Sequence, residues 1–121
     1  SAGKTAPACW IHASSVGEAG IALRCMGALR RARPELRFIL TSVTPEGHEF
    51  ARQRVRTPDR TAWFPFDAPS CVRRAYEAFA PAFVVLCEVE LWPNHLREAR
   101  ARGIPVFVVN GRLSERDARN Y

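Results

Sequence analysis

The sequence predicts an α/β domain built on a parallel sheet with helices on both faces. Strand-like and helix-like segments alternate five times in 121 residues, the connections are short, and two late strands are apolar throughout. A strand that is apolar on both faces is typical of a parallel sheet covered by helices. Right-handed crossovers then give a Rossmann-like sheet of about five strands in the order 3-2-1-4-5. Half of a TIM barrel is a weaker alternative, because it would leave open sheet edges.

The first strand and helix are defined by an apolar run and a proline. Cys9–Ala13 is a short apolar strand, and a Ser-Ser-Val-Gly turn follows it. From Glu18 to about Arg33, apolar residues recur at helical spacing, which predicts a helix that ends before Pro34. The recurring residues are Ile21, Leu23, Met26 and Leu29.

Strong cap and strand signals mark the next three elements. Leu36–Val43 is rich in β-formers and predicts the second strand. Thr44 as N-cap and Pro45 at the first helical position predict a helix that runs to about Val55. Thr61–Phe66 predicts the third strand.

The second half of the chain continues the alternation. Asp67–Pro69 predicts a capped start for a third helix over Ser70–Phe79. Ala82–Glu88 predicts a fourth strand, and a fourth helix is expected over Pro93–Gly103, with the glycine as its C-terminal cap. Ile104–Val109 predicts the fifth strand. The fourth and fifth strands are both expected to be buried.

The two ends suggest a segment of a longer protein. Residues 1–8 are small and polar, as in a linker or a remnant of processing, and residues 9–121 form the predicted domain. Ser114–Asp117 has the pattern of a capping box that begins a fifth helix, yet the sequence stops at Tyr121. A longer parent is therefore expected.

Charge and hydropathy restrict the classes of function. The 18 basic and 12 acidic residues give a net charge of +6, and Lys4 is the only lysine. Such a domain favours anionic partners, although arginines spread over helix surfaces also form an ordinary solvated surface. The longest apolar run, Ala82–Cys87, is far shorter than the ~20 residues of a membrane span.

Cysteine and histidine spacing argues against a metal site. The four cysteines are widely separated and form no C-x-x-C pair, so we expect reduced thiols in a cytosolic protein. His12 is expected in a strand, and His48 and His95 on helix surfaces. We expect neither a metal nor a cofactor.

The predicted strand order locates the candidate site where the winding reverses, between the first and fourth strands. The loops there are Ser14–Glu18 and Glu88–Asn94. Gly17 allows close approach of the backbone to a ligand, and the following helix start offers free N–H groups to anions. Glu18 is a candidate base, with the alternative that it only stabilises the helix dipole.

Two more carboxylates, those of Glu88 and Glu90, lie where the chain leaves the predicted fourth strand. Carboxylates at the end of a buried strand cost desolvation energy unless they are used or paired. The alternative is that one pairs with an arginine and the other caps a helix. Weaker candidates are Thr41–Gly47, which suits a sugar or phosphate, and Arg112, which suits an anion. The sequence contains no glycine-rich nucleotide motif and no G-x-S-x-G nucleophile motif.

Five motifs resemble those of bacterial Kdo transferases and occur in the family's order. W-I-H-A-S-S-V-G-E at Trp10–Glu18 resembles W-I-H-x-x-S-V-G-E, and E-V-E-L-W-P-N at Glu88–Asn94 resembles E-T-E-L-W-P-N. Thr44–Gly47, Phe64–Pro69 and Val109–Ser114 are similar to T-P-T-G, L-P-Y-D-x-P and N-A-R-L-S. Val89 and Gly111 are small departures, whereas Glu46 in place of threonine adds a negative charge to its loop.

The resemblance implies the N-terminal, acceptor-side half of a two-domain GT-B enzyme. That family transfers 3-deoxy-D-manno-octulosonic acid (Kdo) from CMP-Kdo to a lipid A precursor, lipid IVA, with inversion and without a cofactor. By resemblance Glu18 is the general base and Glu88 stabilises the transition state. Acceptor contacts are implied for Ser15, Gly17, Thr44, Glu90 and Arg112.

The resemblance also implies a cellular location and binding partners. The CMP-Kdo-binding domain is the C-terminal half, which this chain lacks, so the isolated chain is expected to be inactive. Basic and apolar side chains are expected to contact the cytoplasmic face of the inner membrane. The alternative is a non-catalytic basic module that binds nucleic acid or a phosphorylated ligand. Such a module has no use for Glu18 and Glu88 in one crevice, so no nucleic acid is expected.

Overall fold

The computed structural model describes residues 6–87 and 92–109. Within these residues five strands and four helices alternate along the chain. They are β1 (Ala8–His12), α1 (Val16–Ala32), β2 (Arg37–Ser42), α2 (Pro45–Arg54), β3 (Arg60–Trp63), α3 (Pro69–Phe79), β4 (Phe83–Leu86), α4 (Pro93–Ala101) and β5 (Val106–Val108). The fifth helix expected from Ser114 lies outside the described residues.

All five strands pair in parallel and form one sheet in the order β3-β2-β1-β4-β5. This confirms the predicted order. β1 is the central strand and is buried along its whole length, with Trp10 opposite Ile39 on one side and Val84 on the other. The prediction that the fifth strand is buried was wrong. Among the described strands β5 lies at an edge, so its residues are only half-buried.

Side chains of β1 alternate between two apolar cores. Ile11 packs in a core with Met26 of α1, and α2 closes that core from the same side of the sheet. Trp10 packs on the opposite face with Val72 of α3 and Ala99 of α4. Helices therefore cover both faces, as expected for a doubly wound sheet.

Local sequence signals set most helix ends. Thr44 caps α2 through Oγ1, which accepts the N–H of Gly47 at 3.0 Å. Gly103 follows α4 with φ of +68°, a backbone conformation that favours glycine. Asp67 does not cap α3, contrary to expectation. The N-cap of α3 is Ala68, which has no side-chain acceptor.

Two strands are shorter than their apolar runs. β3 ends at Trp63 rather than Phe66, because Pro65 has no N–H to donate to a neighbouring strand. β4 ends at Leu86, inside the expected span. No helix in the described part of the chain has the length and apolar character needed to cross a membrane.

Candidate functional site

The winding reverses at the carboxyl ends of β1 and β4, as predicted. The helices that follow β1 and β2 cover one face of the sheet, and those that follow β3 and β4 cover the other. Cys87 donates its N–H to the carbonyl of His12 at 2.8 Å, so the chain leaves β4 beside the end of β1. Glu88, Glu90 and Arg112 lie outside the described residues. The expected meeting of Glu18 with Glu88 stays a prediction.

Glu18 is fixed at the start of α1 by two hydrogen bonds, one to each of two neighbouring serines. Its Oε1 accepts the N–H of Ser14 at 2.9 Å, and its own N–H donates to Oγ of the N-cap Ser15 at 3.4 Å. This arrangement resembles a capping box. Glu18 therefore has a structural role at the start of α1, as the alternative of a first-turn glutamate expected, but its hydrogen bond to Ser14 uses only one carboxylate oxygen. Among residues 6–87 and 92–109 the half-buried carboxylate has no further hydrogen-bond or ion-pair partner.

Ser14 connects this loop to the next one. Its carbonyl accepts the hydroxyl of Thr44 at 3.0 Å and the backbone N–H of Thr44 at 3.3 Å. Its own Oγ lies 3.3 Å from Nε2 of His12. Ser15 and Gly17 are exposed, and a Cβ added at Gly17 would meet no atom within 4 Å. Gly17 is thus open to an incoming molecule rather than required by packing within this part of the chain.

A buried polar network supports the loop from below. His12 is fully buried, and its Nδ1 lies 2.9 Å from Oγ1 of Thr41. The same Oγ1 accepts the indole N–H of Trp10 at 2.9 Å. The imidazole of His12 also stacks on Phe64, with ring centroids 3.6 Å apart. The end of β1 is therefore held by hydrogen bonds and by ring stacking.

His95 departs from its expected position on a helix surface. It is 3% exposed and stacks on Phe64 at 4.2 Å, because the inward face of α4 packs against the aromatic side chains beyond β3. Trp92 joins the same group, 5.3 Å from Phe64. Sequence reasoning missed this aromatic group. Its only signal was that Phe64 and Trp92 fall in two of the motifs quoted above.

Three thiols lie beneath the site. Burial raises the pKa of Cys9 far above its usual range. The pKa of Cys87 is raised chiefly by a hydrogen bond with Cys25 and by burial, with a smaller contribution from the negative charge of Glu18. All four cysteines are free, and Cys9 and Cys87 are buried whereas Cys25 and Cys71 are half-buried.

Within residues 6–87 and 92–109, the exposed surface around the carboxyl edge is apolar rather than basic. Four large apolar side chains are exposed there, at the first residue of α1, in loops and at the end of β3. They are Val16, Val43, Trp63 and Phe66, with Phe66 80% exposed. Basic residues instead occupy the last turns of α1, α2 and α4, at the opposite edge of the sheet. Their positive charges interact favourably there with the negative ends of the helix dipoles. None of the four described helices has an arginine in its first turn, which is the end that lies at the carboxyl edge with Glu18.

Residues 1–121 match the family described as 3-deoxy-D-manno-octulosonic-acid transferase (kdotransferase). The chain belongs to this family. Similar proteins include the 3-deoxy-D-manno-octulosonic acid transferase of Bordetella pertussis, 38% identical over 124 residues. Those of Haemophilus influenzae and Chlamydophila psittaci are 33% and 30% identical over 112 and 118 residues. The matches cover 93%, 93% and 97% of this chain but 28%, 26% and 27% of the relatives.

The chain thus spans roughly a quarter of the length of these Kdo transferases. Within that span, the family motif that starts at Trp10 runs through β1 and into the first turn of α1, where Glu18 lies. The motif at Thr44 forms the start of α2 and contacts Ser14. Two motifs of this Kdo transferase domain are therefore in direct contact. Among the described residues no group of three or more His, Cys, Asp or Glu is arranged to hold a metal ion.

Proposed function

We propose that this chain is the acceptor-side domain of an inverting glycosyltransferase that moves Kdo from CMP-Kdo to a lipid A precursor such as lipid IVA. The observation that carries the proposal is the setting of Glu18. A half-buried carboxylate, held through one oxygen, lies at the switch point of a doubly wound sheet in a member of the Kdo transferase family. Ligands of such sheets bind beyond the carboxyl ends of the strands.

In the proposed reaction a hydroxyl oxygen of the acceptor forms a bond to the anomeric carbon of Kdo. The bond between that carbon and the phosphate oxygen of CMP breaks, and CMP leaves with the electron pair. Glu18 takes the hydroxyl proton as general base. A phosphate ester is a good leaving group, so the step needs no strong general acid. We assign Glu88 the role of stabilising the positive charge that develops at the anomeric carbon.

Contacts to the acceptor are proposed for side chains and backbone around Glu18. Ser15 and Gly17 are exposed at the start of α1, where free N–H groups favour the negative charge of an acceptor phosphate. Glu90 and Arg112 complete the proposed acceptor site, the arginine as a bidentate partner of an anion. Thr44 was expected to share this role, but its hydroxyl proton is already donated to Ser14.

We propose that the enzyme acts at the cytoplasmic side of the inner membrane. A lipid A precursor is an amphipathic molecule with acyl chains, and the exposed apolar side chains around the carboxyl edge suit contact with such a surface. Trp63 and Phe66 are the largest of them. The part of the enzyme that holds CMP-Kdo is proposed to lie in the remaining three quarters that the relatives have.

The test is a transfer assay with the full-length parent enzyme. CMP-Kdo and lipid IVA are incubated with the enzyme, and the product is analysed by mass spectrometry and by NMR of the new anomeric centre. We expect one or more Kdo residues on the acceptor, with inverted configuration. Hydrolysis of CMP-Kdo without transfer, or a product of retained configuration, would contradict the proposal.

A further inference from the structure

We propose that Thr44 is a positioning residue that orients Glu18 from the neighbouring loop. Its contact is with the backbone of Ser14, and Ser14 in turn holds the Glu18 carboxylate. This inference rests on the proposed function, since it concerns the residue assigned there as the general base. It gives the T-P-E-G motif at the start of α2 a role other than acceptor binding.

The hydrogen bonds of the Thr44 hydroxyl carry the proposal. A hydroxyl has one proton, and Thr44 donates it to the carbonyl of Ser14 at 3.0 Å. One lone pair of the same oxygen accepts the N–H of Gly47 at 3.0 Å. The hydroxyl therefore has no proton left for an oxygen of a sugar or phosphate. The backbone N–H of Thr44 also points at the Ser14 carbonyl, at 3.3 Å.

Ser14 transmits this restraint to the carboxylate. Its carbonyl belongs to the peptide that leads directly into Ser15, the N-cap of α1. Its N–H donates to Oε1 of Glu18 at 2.9 Å. Ser14 therefore does two things: it leads into the helix that carries Glu18, and it is the hydrogen-bond donor to the Glu18 carboxylate. Peptide planarity leaves Ser14 only two soft dihedrals between these contacts.

Gly47 makes the close approach of the two loops possible. A Cβ at this position would lie 3.0 Å from Oγ1 of Thr44, 3.1 Å from the carbonyl oxygen of Ser14 and 3.3 Å from the carbonyl carbon of Ser15. Two of these three neighbours are backbone atoms, which cannot turn away as a side chain can. A side chain here would push α2 away from the loop that holds Glu18.

The proposal is tested by steady-state kinetics of the full-length enzyme with CMP-Kdo and lipid IVA. Thr44→Val removes the hydroxyl at nearly constant volume, Thr44→Ser keeps it, and Gly47→Ala inserts a methyl group between the loops. We expect Thr44→Val and Gly47→Ala to lower kcat about 10- to 100-fold, as loss of orientation does. KM for lipid IVA should stay within about twofold, and Thr44→Ser should restore most of kcat.

Two controls separate this role from others. Val72→Ala opens a cavity in the core on the far side of the sheet, so it measures the effect of lower stability alone. Equal loss of kcat in Val72→Ala and Thr44→Val, or a rise in KM with unchanged kcat in Thr44→Val, would overturn the positioning role. Full activity of Glu18→Gln would instead refute the proposed function. Inactive Glu18→Gln together with fully active Thr44→Val would refute only the inference about Thr44.

Discussion

Replacing Thr41 by valine should destabilise the protein without changing its shape. Thr41 is fully buried in β2, and its Oγ1 accepts the indole N–H of Trp10 at 2.9 Å. The same oxygen lies 2.9 Å from Nδ1 of His12. Valine has nearly the same volume but neither donates nor accepts a hydrogen bond. Two buried polar groups would therefore lose a partner at once.

The two losses differ in size. The indole N–H of Trp10 has no other partner among the described residues, and an unsatisfied buried donor costs about 1–3 kcal/mol. His12 keeps the carbonyl of Thr41 within 3.2 Å of its Nδ1, so its loss is that of one ordinary hydrogen bond, about 1 kcal/mol. We expect the free energy of unfolding to fall by about 3 kcal/mol in all.

Urea unfolding followed by tryptophan fluorescence and circular dichroism measures this change. Thr41→Ser keeps the hydroxyl and should lose less stability than Thr41→Val. Trp10→Phe removes the donor, so the double variant Trp10→Phe with Thr41→Val should be more stable than the sum of the single losses by about 1–2 kcal/mol. Strict additivity, or a Thr41→Val variant within about 0.5 kcal/mol of the wild type, would refute the reasoning.

Three further predictions concern pH, the membrane and the isolated chain. Burial, together with the charge of Glu98, raises the pKa of Tyr76 to about 12. The neutral phenol therefore favours folding fully below about pH 10, and this contribution is lost as the pH rises through 12, which unfolding of wild type and Tyr76→Phe across that range checks. In co-sedimentation the chain should bind liposomes weakly through the exposed apolar side chains, and Phe66→Ser should bind less; equal binding of the wild type and Phe66→Ser would contradict this. The isolated 121-residue chain should transfer no Kdo above background in the lipid IVA assay, and robust turnover would contradict the assignment to one half of an enzyme.

Signals contained within a few residues predicted the fold well. Pro45 and Pro93 begin helices, and Gly103 follows the end of one, because each residue restricts or frees its own backbone. The strand order followed from the handedness of crossovers between short apolar runs. Burial of β5 was mispredicted because the apolar run was given more weight than the predicted place of this strand at the edge of the sheet.

The candidate site was predicted in position but not in its contacts. The strand order was enough to expect Glu18 at the switch point. The hydrogen bond between the Thr44 hydroxyl and the Ser14 carbonyl joins residues that are 30 positions apart. No periodicity or spacing in the sequence indicates such a contact. The same holds for Phe64 and His95, whose stacking depends on how β3 and α4 pack together. Fold-level rules thus placed Glu18 at the switch point, whereas the side-chain contacts around it required the structure.

The most direct test of the central claim is kcat of the full-length enzyme with Glu18 replaced by glutamine. Glu46→Gln is the matched control, because Glu46 is also an acid in the first turn of a helix at the same edge but is exposed. Glutamine keeps an oxygen that can accept the N–H of Ser14 but cannot take a proton. We predict that Glu18→Gln lowers kcat by about 100-fold or more, and that Glu46→Gln stays near the wild type. A Glu18→Gln enzyme with the kcat of the wild type would contradict the account.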